Sequence, residues 1–262
     1  MRRKIFSLFV ILLTIGGSSL SNAATVYVGD HLAGIYSVET DTGVATLVGN
    51  SGSAMTDIAF DLNGNLWGVT FDSLYRIDKN TAASTLVGSL GSINSANALI
   101  FAPDGSLFTA GWNSPLLYAV NTTTGAATAV GNMGRNSSGD LEFDGNGTMF
   151  MASRGATDSI VQVNPNTGAG TLIGNTSFGQ LYGLTYVDDT MFGFTRKNII
   201  SINLLNGSSS IFRPITGMAG NAWGASLLPV EVPPSSPVPE PTTLILLNSG
   251  LLGLAYFRRK NK

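Results

Sequence analysis

A short apolar segment of the form Ile-Tyr-Ser-Val recurs five times along the chain, and this repeat constrains the fold more than any other feature. The copies are separated by 39, 43, 43 and 39 residues, a period of about 41. A period of this length indicates one supersecondary unit that is copied along the chain and packs against its neighbours. The copies begin at Ile35, Leu74, Leu117, Ile160 and Ile199.

Each copy leads into a polar turn and a second short strand, as in residues 45–49 and 84–88. Four copies have a glycine eight residues after the start, and the copy that begins at Leu74 has Ala82 there. Glycine suits a turn residue with positive φ. Between these hairpins a second pair of short strands recurs, as in residues 58–60 and 66–69. Each repeat therefore predicts four short antiparallel strands and an all-β protein.

Four strands in about 41 residues, with glycine-rich turns and aromatic strand positions, are typical of a β-propeller blade. Residues 25–228 provide 204 positions, so five blades fit. Residues 26–29 match the second strand of a blade, and residues 221–226 match the innermost strand that is missing there. We predict a five-bladed β-propeller over residues 24–228, closed by the last body strand joining the N-terminal blade. An open stack and a ring of six or seven degenerate blades are the alternatives.

The residue content excludes several kinds of site. The 262-residue chain has no cysteine and one histidine, His31, which leaves no disulfide framework, thiolate zinc site or histidine cluster. We interpret His31 as a surface residue. Residues 25–228 hold seven basic and fourteen acidic residues, so this body carries a net charge of −7. Because an acidic body repels nucleic-acid phosphates, we expect no nucleic-acid partner.

The N-terminus has the three parts of a secretory signal peptide. Basic residues at positions 2–4 precede an apolar core over residues 5–15, and small residues follow up to Ala23. We predict that residues 1–23 are a signal peptide, removed by signal peptidase, and that the chain is exported. A permanent N-terminal anchor is the alternative, although the apolar core is short for a membrane span.

The C-terminus has a different composition from the body. Residues 229–241 contain six of the ten prolines, which predicts an extended linker. The apolar run of residues 244–257 would form a helix of about 21 Å, short of the ~30 Å hydrocarbon core, so it predicts transient or weak membrane insertion. Basic residues follow, and they favour a cytoplasmic location for this end. We assign residues 242–262 to a short C-terminal helix with a basic tail.

The order of features at this end resembles the PEP-CTERM sorting signal of Gram-negative bacteria. Pro239, Glu240 and Pro241 precede the apolar helix, and Arg258 and Arg259 follow it. The resemblance implies processing near the Pro-Glu-Pro tripeptide by a membrane enzyme, an exosortase, and a location in the cell envelope, at the cell surface or in the matrix of bacteria that make exopolysaccharide. Asn248 departs from the pattern, because it is polar in mid-helix. An ordinary tail anchor behind a proline-rich linker is the alternative.

Polar residues at the start of the predicted innermost strands form the candidate ligand site. Such side chains would ring one mouth of the central channel and could hold a divalent metal, as in the propeller lactonases, or a sugar. Polar residues are also expected at any solvated channel mouth. The candidates are Asp57, Asn97, Asp140, Tyr182 and Asn221.

Other residues suggest weaker sites. The turns that begin at Asp61 and Asp144 resemble the opening of a calcium loop, but they lack the closing glutamate and also fit ordinary tight turns. We expect no cofactor, with Ca²⁺ as the one alternative. Trp67 and Trp223 fall in predicted strands, where packing accounts for them, whereas Trp112 falls in a loop and could stack on a sugar ring.

The sequence has no phosphate loop, nucleophile elbow or Ser-His-Asp set, so we predict no catalytic residues. We predict an exported surface or matrix protein that acts as a non-enzymatic binding or structural module, with extracellular polysaccharide as a possible partner. The first alternative is a propeller hydrolase or lactonase with a divalent metal at the channel mouth. The second is a periplasmic scaffold that is not processed.

Overall fold

A computed structural model describes residues 24–229 of the chain. These residues form twenty β-strands and contain no helix. The first ten strands are β1 (Thr25–Asp30), β2 (Gly34–Glu39), β3 (Ala45–Asn50), β4 (Asp57–Phe60), β5 (Leu66–Val69), β6 (Ser73–Ile77), β7 (Ser84–Ser89), β8 (Ala96–Phe101), β9 (Leu107–Gly111) and β10 (Ser114–Val120). The last ten are β11 (Ala127–Asn132), β12 (Ser137–Phe143), β13 (Met149–Ser153), β14 (Ser159–Val163), β15 (Gly170–Asn175), β16 (Leu181–Val187), β17 (Thr190–Thr195), β18 (Asn198–Ile202), β19 (Ser209–Pro214) and β20 (Ala222–Leu227).

The strands form five four-stranded antiparallel sheets. Blade 1 has the order β20-β1-β2-β3, and blades 2 to 5 follow the chain as β4–β7, β8–β11, β12–β15 and β16–β19. The innermost strands contact one another in the cyclic order β4, β8, β12, β16 and β20. The predicted five-bladed β-propeller is confirmed. The predicted signal peptide, most of the linker and the C-terminal helix lie outside the described residues.

Burial decreases from the channel outward along each blade. Every residue of the inner strand β8 is buried, whereas the outer strand β7 of the preceding blade has no buried residue. The apolar core lies between neighbouring blades. Phe194 of blade 5, for example, packs in one cluster with Val28 and Tyr36 of blade 1. Each blade therefore needs its neighbours to bury its faces, as expected for a repeat protein.

The chain ends close the ring as the sequence predicts. β1 pairs with β20 in antiparallel register, from Val26 opposite Leu227 to Asp30 opposite Ala222. The His31 Nδ1 atom accepts the Asn221 N–H at 3.0 Å, which extends the contact beyond the strands. β20 runs from the channel mouth to the opposite face, so the chain leaves the ring on the face away from the mouth.

The turn between the third and fourth strands has positive φ in all five repeats, including the one that lacks glycine. Ala82 adopts the left-handed conformation, and its side chain is fully buried in the cluster around Ile58. Packing therefore holds alanine in a conformation that favours glycine. The φ values are 70° for Gly43, 63° for Ala82, 80° for Gly125, 70° for Gly168 and 76° for Gly207.

Glycines in the fourth strands receive the hairpin turn of the next blade. In blade 3, Gly131 packs against the Thr167 carbonyl of blade 4 so closely that a Cβ atom would overlap the carbonyl oxygen. At the ring closure the fourth strand supplies the carbonyl and the turn supplies the glycine, because the Pro214 carbonyl of β19 faces the turn residue Gly43 of blade 1. The glycines with the same close approach are Gly49, Gly88 and Gly174.

Candidate ligand cleft at the channel mouth

A cleft of about 380 Å³ opens at the face where the inner strands begin, which we call the mouth. The inner strands contribute its floor, including Asn97, Gly139 and Tyr182. Loops between second and third strands contribute its walls, including Trp112 and Arg154. The antiparallel order of each blade brings both kinds of segment to one end of the ring. The other lining residues are Thr56, Phe71, Ser138, Gly155, Asp158, Gln180 and Trp223.

The structure separates the five predicted site residues. Asn97 and Tyr182 line the cleft. Asp57 and Asp140 are fully buried and do not line it. Asn221 is exposed beside His31, at the ring closure. The predicted residues therefore share one end of the inner strands, but they occupy three different environments.

Asn97 has an unusual hydrogen-bonding state. Its Nδ2 donates to the Ser138 carbonyl at 2.8 Å, which links the inner strands of blades 3 and 4. Its Oδ1 is buried and has no hydrogen-bond partner among the described residues. The residue as a whole is only 7% exposed. An unpaired buried acceptor is costly unless a donor from water or a ligand reaches it. Among the residues that line the cleft, Asn97 is the one whose buried side-chain acceptor lacks a donor.

Asp57 and Asp140 connect neighbouring inner strands. One oxygen of Asp57 accepts the Ile58 N–H at 2.8 Å, and the other accepts the Leu99 N–H of the next blade at 2.6 Å. Asp140 repeats this arrangement with Leu141 of its own strand and Leu184 of the next. The carboxylates thus satisfy backbone N–H groups of two neighbouring inner strands.

The two carboxyl groups also hydrogen-bond to each other. Burial raises the pKa of Asp57 well above its ordinary value, and the hydrogen bond with Asp140 only partly opposes this effect. Burial likewise raises the pKa of Asp140, and the charge of Asp57 raises it further. Ionisation of both groups at once is therefore disfavoured, because two adjacent negative charges repel each other in a buried site.

Glu142 is a third carboxyl group near Asp57 and Asp140, and it was not predicted from the sequence. It lies two residues after Asp140 in β12, so it points to the same side of the strand. It accepts the Phe143 N–H at 2.8 Å and a backbone hydrogen bond from Tyr186. Burial raises the pKa of Glu142 to about 8, against these hydrogen bonds. The period of two along β12 was the sequence signal that could have identified it.

Aromatic side chains line much of the cleft. Phe71 is 45% exposed and Trp112 is 38% exposed, and both lie in loops between second and third strands. Tyr182 and Trp223 are half-buried in the cleft, whereas Trp67 is packed in the core as predicted. Trp223 lies in the strand β20, as predicted. It is not fully buried by packing between blades, and part of it is exposed in the cleft.

Charged and amide groups of blades 4 and 5 complete the cleft. The Arg154 guanidinium lies over the Trp112 ring, 5.1 Å from its centroid. Asp158 is buried, and its oxygens accept hydrogen bonds from Ser138 Oγ, Leu181 N–H and Gly155 N–H. Neither residue was predicted from the repeat, since both lie in the β13–β14 loop and the loops between second and third strands differ in length from blade to blade.

The carboxylates of the two turns that resemble calcium loops are bound within the turns. Asp61 accepts hydrogen bonds from the Asn63 and Asn65 backbone and from Trp67 Nε1. Asp144 accepts those of Asn146 and Thr148. Within residues 24–229, no group of three or more His, Cys, Asp or Glu side chains is placed to hold a metal ion.

No helix in the described part of the chain has the length and apolar character needed to cross a bilayer. Outside it, residues 237–260 match the family model of the PEP-CTERM protein-sorting motif. The predicted resemblance is thereby confirmed. The chain is an exported propeller protein with a C-terminal sorting region of the kind found in Gram-negative envelope proteins, and the motif implies processing by an exosortase membrane enzyme.

Comparison with solved structures shows the fold. The chain is similar to a component of a nidogen/laminin complex, with 14% identity, a TM-score of 0.53 and coverage of 79% of this chain and 86% of that chain. It is also similar to a gluconolactonase from Xanthomonas campestris, with 14% identity, a TM-score of 0.50 and coverage of 77% and 79%. No curated protein matches the sequence at a significant level.

Proposed function

We propose that this exported propeller is a non-enzymatic binding module of the cell surface or extracellular matrix, and that it holds a polysaccharide segment in the cleft at the mouth. The observation that carries the proposal is the unpaired Oδ1 of Asn97 among exposed aromatic rings. Aromatic faces suit the apolar faces of sugar rings, and a buried acceptor suits a sugar hydroxyl.

The state of the channel carboxylates supports a binding role over the hydrolase alternative. Asp57 and Asp140 each bind two backbone N–H groups, so their oxygens are already engaged between inner strands. A metal-dependent lactonase needs such oxygens to face a common point in an open site. Metal content of the purified protein and hydrolysis of a lactone are the two measurements that would favour the hydrolase.

Replacing Trp112 by alanine should weaken polysaccharide binding about tenfold or more, because an exposed aromatic ring that contacts the ligand carries much of the contact energy. The measurement is affinity electrophoresis of the exported protein through gels that contain the exopolysaccharide of the producing cells. Asn97→Ala should reduce the retardation as well.

Phe212→Ala is the matched control for the tryptophan variant. Phe212 is 40% exposed, close to the 38% of Trp112, but it lies in the outer strand β19. Its removal should leave the retardation unchanged. Equal retardation of the Trp112 and Phe212 variants would place the binding surface elsewhere and contradict the proposed function.

Removal of the signal peptide and processing near the Pro-Glu-Pro tripeptide should together shorten the exported chain at both ends. We expect the intact mass of the mature protein to correspond to a chain that begins near Ala24 and lacks the residues after about Pro241. Replacement of Pro239, Glu240 and Pro241 by alanine should retain the C-terminal residues. An unprocessed C-terminus in the wild-type protein would support the scaffold alternative.

A further inference from the structure

Charged residues are distributed unequally between the two faces of the ring. In the loops at the mouth, the basic residues are Arg135, Arg154, Arg196 and Lys197, and the acidic ones are Asp72 and the buried Asp158. In the loops at the opposite face, Lys79 is accompanied by seven acidic residues. These are Asp41, Asp61, Asp78, Asp104, Asp144, Asp188 and Asp189. The exposed charges of the mouth loops are therefore mainly basic, whereas the acidic residues Asp30, Asp57 and Asp140 at the same end of the strands are buried, so the surface of the mouth would attract an anion.

Arg154 is oriented for an external partner. Its guanidinium is stacked on the Trp112 ring and lines the cleft, and it has no carboxylate within salt-bridge distance among the described residues. The nearby Asp158 directs its oxygens to Ser138, Leu181 and Gly155. Stacking restricts the side chain but leaves its N–H groups available, which is the arrangement that suits recognition of a carboxylate.

Arg196 provides a second guanidinium on the same side of the cleft. Its Nε donates to Gln180 Oε1 at 2.8 Å, and Gln180 lines the cleft. The charges of Arg154 and Arg196 both act on the Tyr182 hydroxyl, where they partly oppose the effects of burial and of Asp158, which raise the pKa of Tyr182. Both cations are therefore near enough to Tyr182, a residue of the cleft floor, for their charges to act on it.

Asn97 gives independent evidence that the cleft receives a ligand. The side chain is more than nine-tenths buried, and its unpaired Oδ1 can accept one hydrogen bond. A ligand that fills the site thus needs a hydroxyl donor for Asn97, an apolar face for Trp112 and an anionic group for Arg154. A uronic acid residue carries these three features on one ring.

We propose that the ligand of the cleft is an acidic polysaccharide, with its carboxylates bound by Arg154 and Arg196 and its rings stacked on the aromatic residues of the mouth. This inference rests on the proposed function and adds that the bound polysaccharide is negatively charged. The interaction is a charge-assisted hydrogen bond in a partly desolvated cleft, so salt should weaken it.

The experiment compares two forms of one polymer. Polygalacturonate and its fully methyl-esterified form have the same backbone, and only the first is charged. Binding of each to the mature exported chain is measured by affinity electrophoresis at low and high salt. We expect selective binding of polygalacturonate and a loss of about tenfold or more in Arg154→Gln and Arg196→Gln, since hydrogen bonds to charged groups are among the stronger ones.

Arg213→Gln is the matched control for the arginine variants. Arg213 also stacks on an aromatic ring, Phe212 at 5.2 Å, but it lies in the outer strand β19. Its removal changes the net charge equally and should leave binding unchanged. The same loss in all three arginine variants would indicate a nonspecific charge effect and overturn the inference.

The outcomes distinguish the two proposals. Equal binding of both polymers, weakened by Trp112→Ala but not by Arg154→Gln, would overturn the acidic ligand and retain the polysaccharide-binding module. Failure to bind polygalacturonate, together with retardation of the wild-type protein by a neutral polymer, would have the same meaning. Failure to bind any polymer, including the native exopolysaccharide, would overturn both proposals.

Discussion

Gly131→Ala should destabilise the propeller by about 3 kcal/mol or more, the upper range for overpacking a rigid contact. The added methyl group would overlap the Thr167 carbonyl oxygen in the turn of the next blade. A backbone carbonyl cannot rotate away as the end of a flexible side chain can, so blades 3 and 4 would have to separate. The measurement is the urea concentration at the midpoint of unfolding, followed by tryptophan fluorescence.

Gly179→Ala is the control for this variant. Gly179 is half-buried, and a Cβ atom there would lie 3.6 Å from the nearest atom, the Ala156 carbonyl oxygen, which is an ordinary contact. Neither Gly131 nor Gly179 has positive φ, so loss of left-handed backbone freedom affects neither substitution. If both variants unfold at the same urea concentration, the close approach between blades is not a stability determinant.

Raising the pH from about 5 to about 8.5 should lower the free energy of unfolding. The pKa of Glu142 is about 8 in the folded chain, because of burial, against an ordinary value of 4.5. Above pH 4.5 the unfolded chain ionises this group while the folded chain retains the proton, so unfolding is increasingly favoured until the pH passes about 8. Burial raises the pKa values of Asp57 and Asp140 in the same direction, which adds to the loss.

The expected loss from Glu142 is on the order of a few kcal/mol, reduced by its partial exposure to solvent. Glu142→Gln should flatten the pH dependence, because a neutral amide can still accept a backbone hydrogen bond. Glu39→Gln, which replaces the other glutamate of the described residues, controls for the change in net charge. A stability that rises between pH 5 and 8.5, or the same slope in Glu142→Gln as in the wild type, would contradict the assignment.

The fold was predictable because the residue types that a blade requires recur at fixed positions of each repeat. The turn before the fourth strand of each blade needs positive φ, and glycine stands there in four repeats of five. The incomplete first blade was visible because residues 26–29 lacked an inner strand before them. Even the exception was informative, since Ala82 keeps the conformation of the glycines it replaces.

The candidate site was less predictable, because the start of an inner strand does not determine where its side chains point. Alternate residues of these strands face the channel or the adjacent blade, and the twist of each strand changes which ones reach the mouth. Asn97 therefore lines the cleft, while Asp57 and Asp140 at nearby strand positions bind backbone groups of the next strand. Period alone does not resolve this difference.

The residues in the walls of the cleft could not be predicted from the repeat. Arg154 and Gln180 lie in loops that differ in length and composition from one blade to the next. Their significance depends on contacts between blades, such as the stacking of Arg154 of blade 4 on Trp112 of blade 3. Such contacts join residues of different repeats and leave no local pattern in the sequence.

The pairing of β1 with β20 also sets the order in which the molecule can be assembled. The hydrogen bond between Gly220 and Asp30 joins residues 190 positions apart, so the first blade stays incomplete until nearly the whole body has been synthesised. Contacts so distant in sequence form late and slowly. The ring of a nascent chain therefore cannot close during most of translation, because β20, the strand that completes the first blade, is synthesised last.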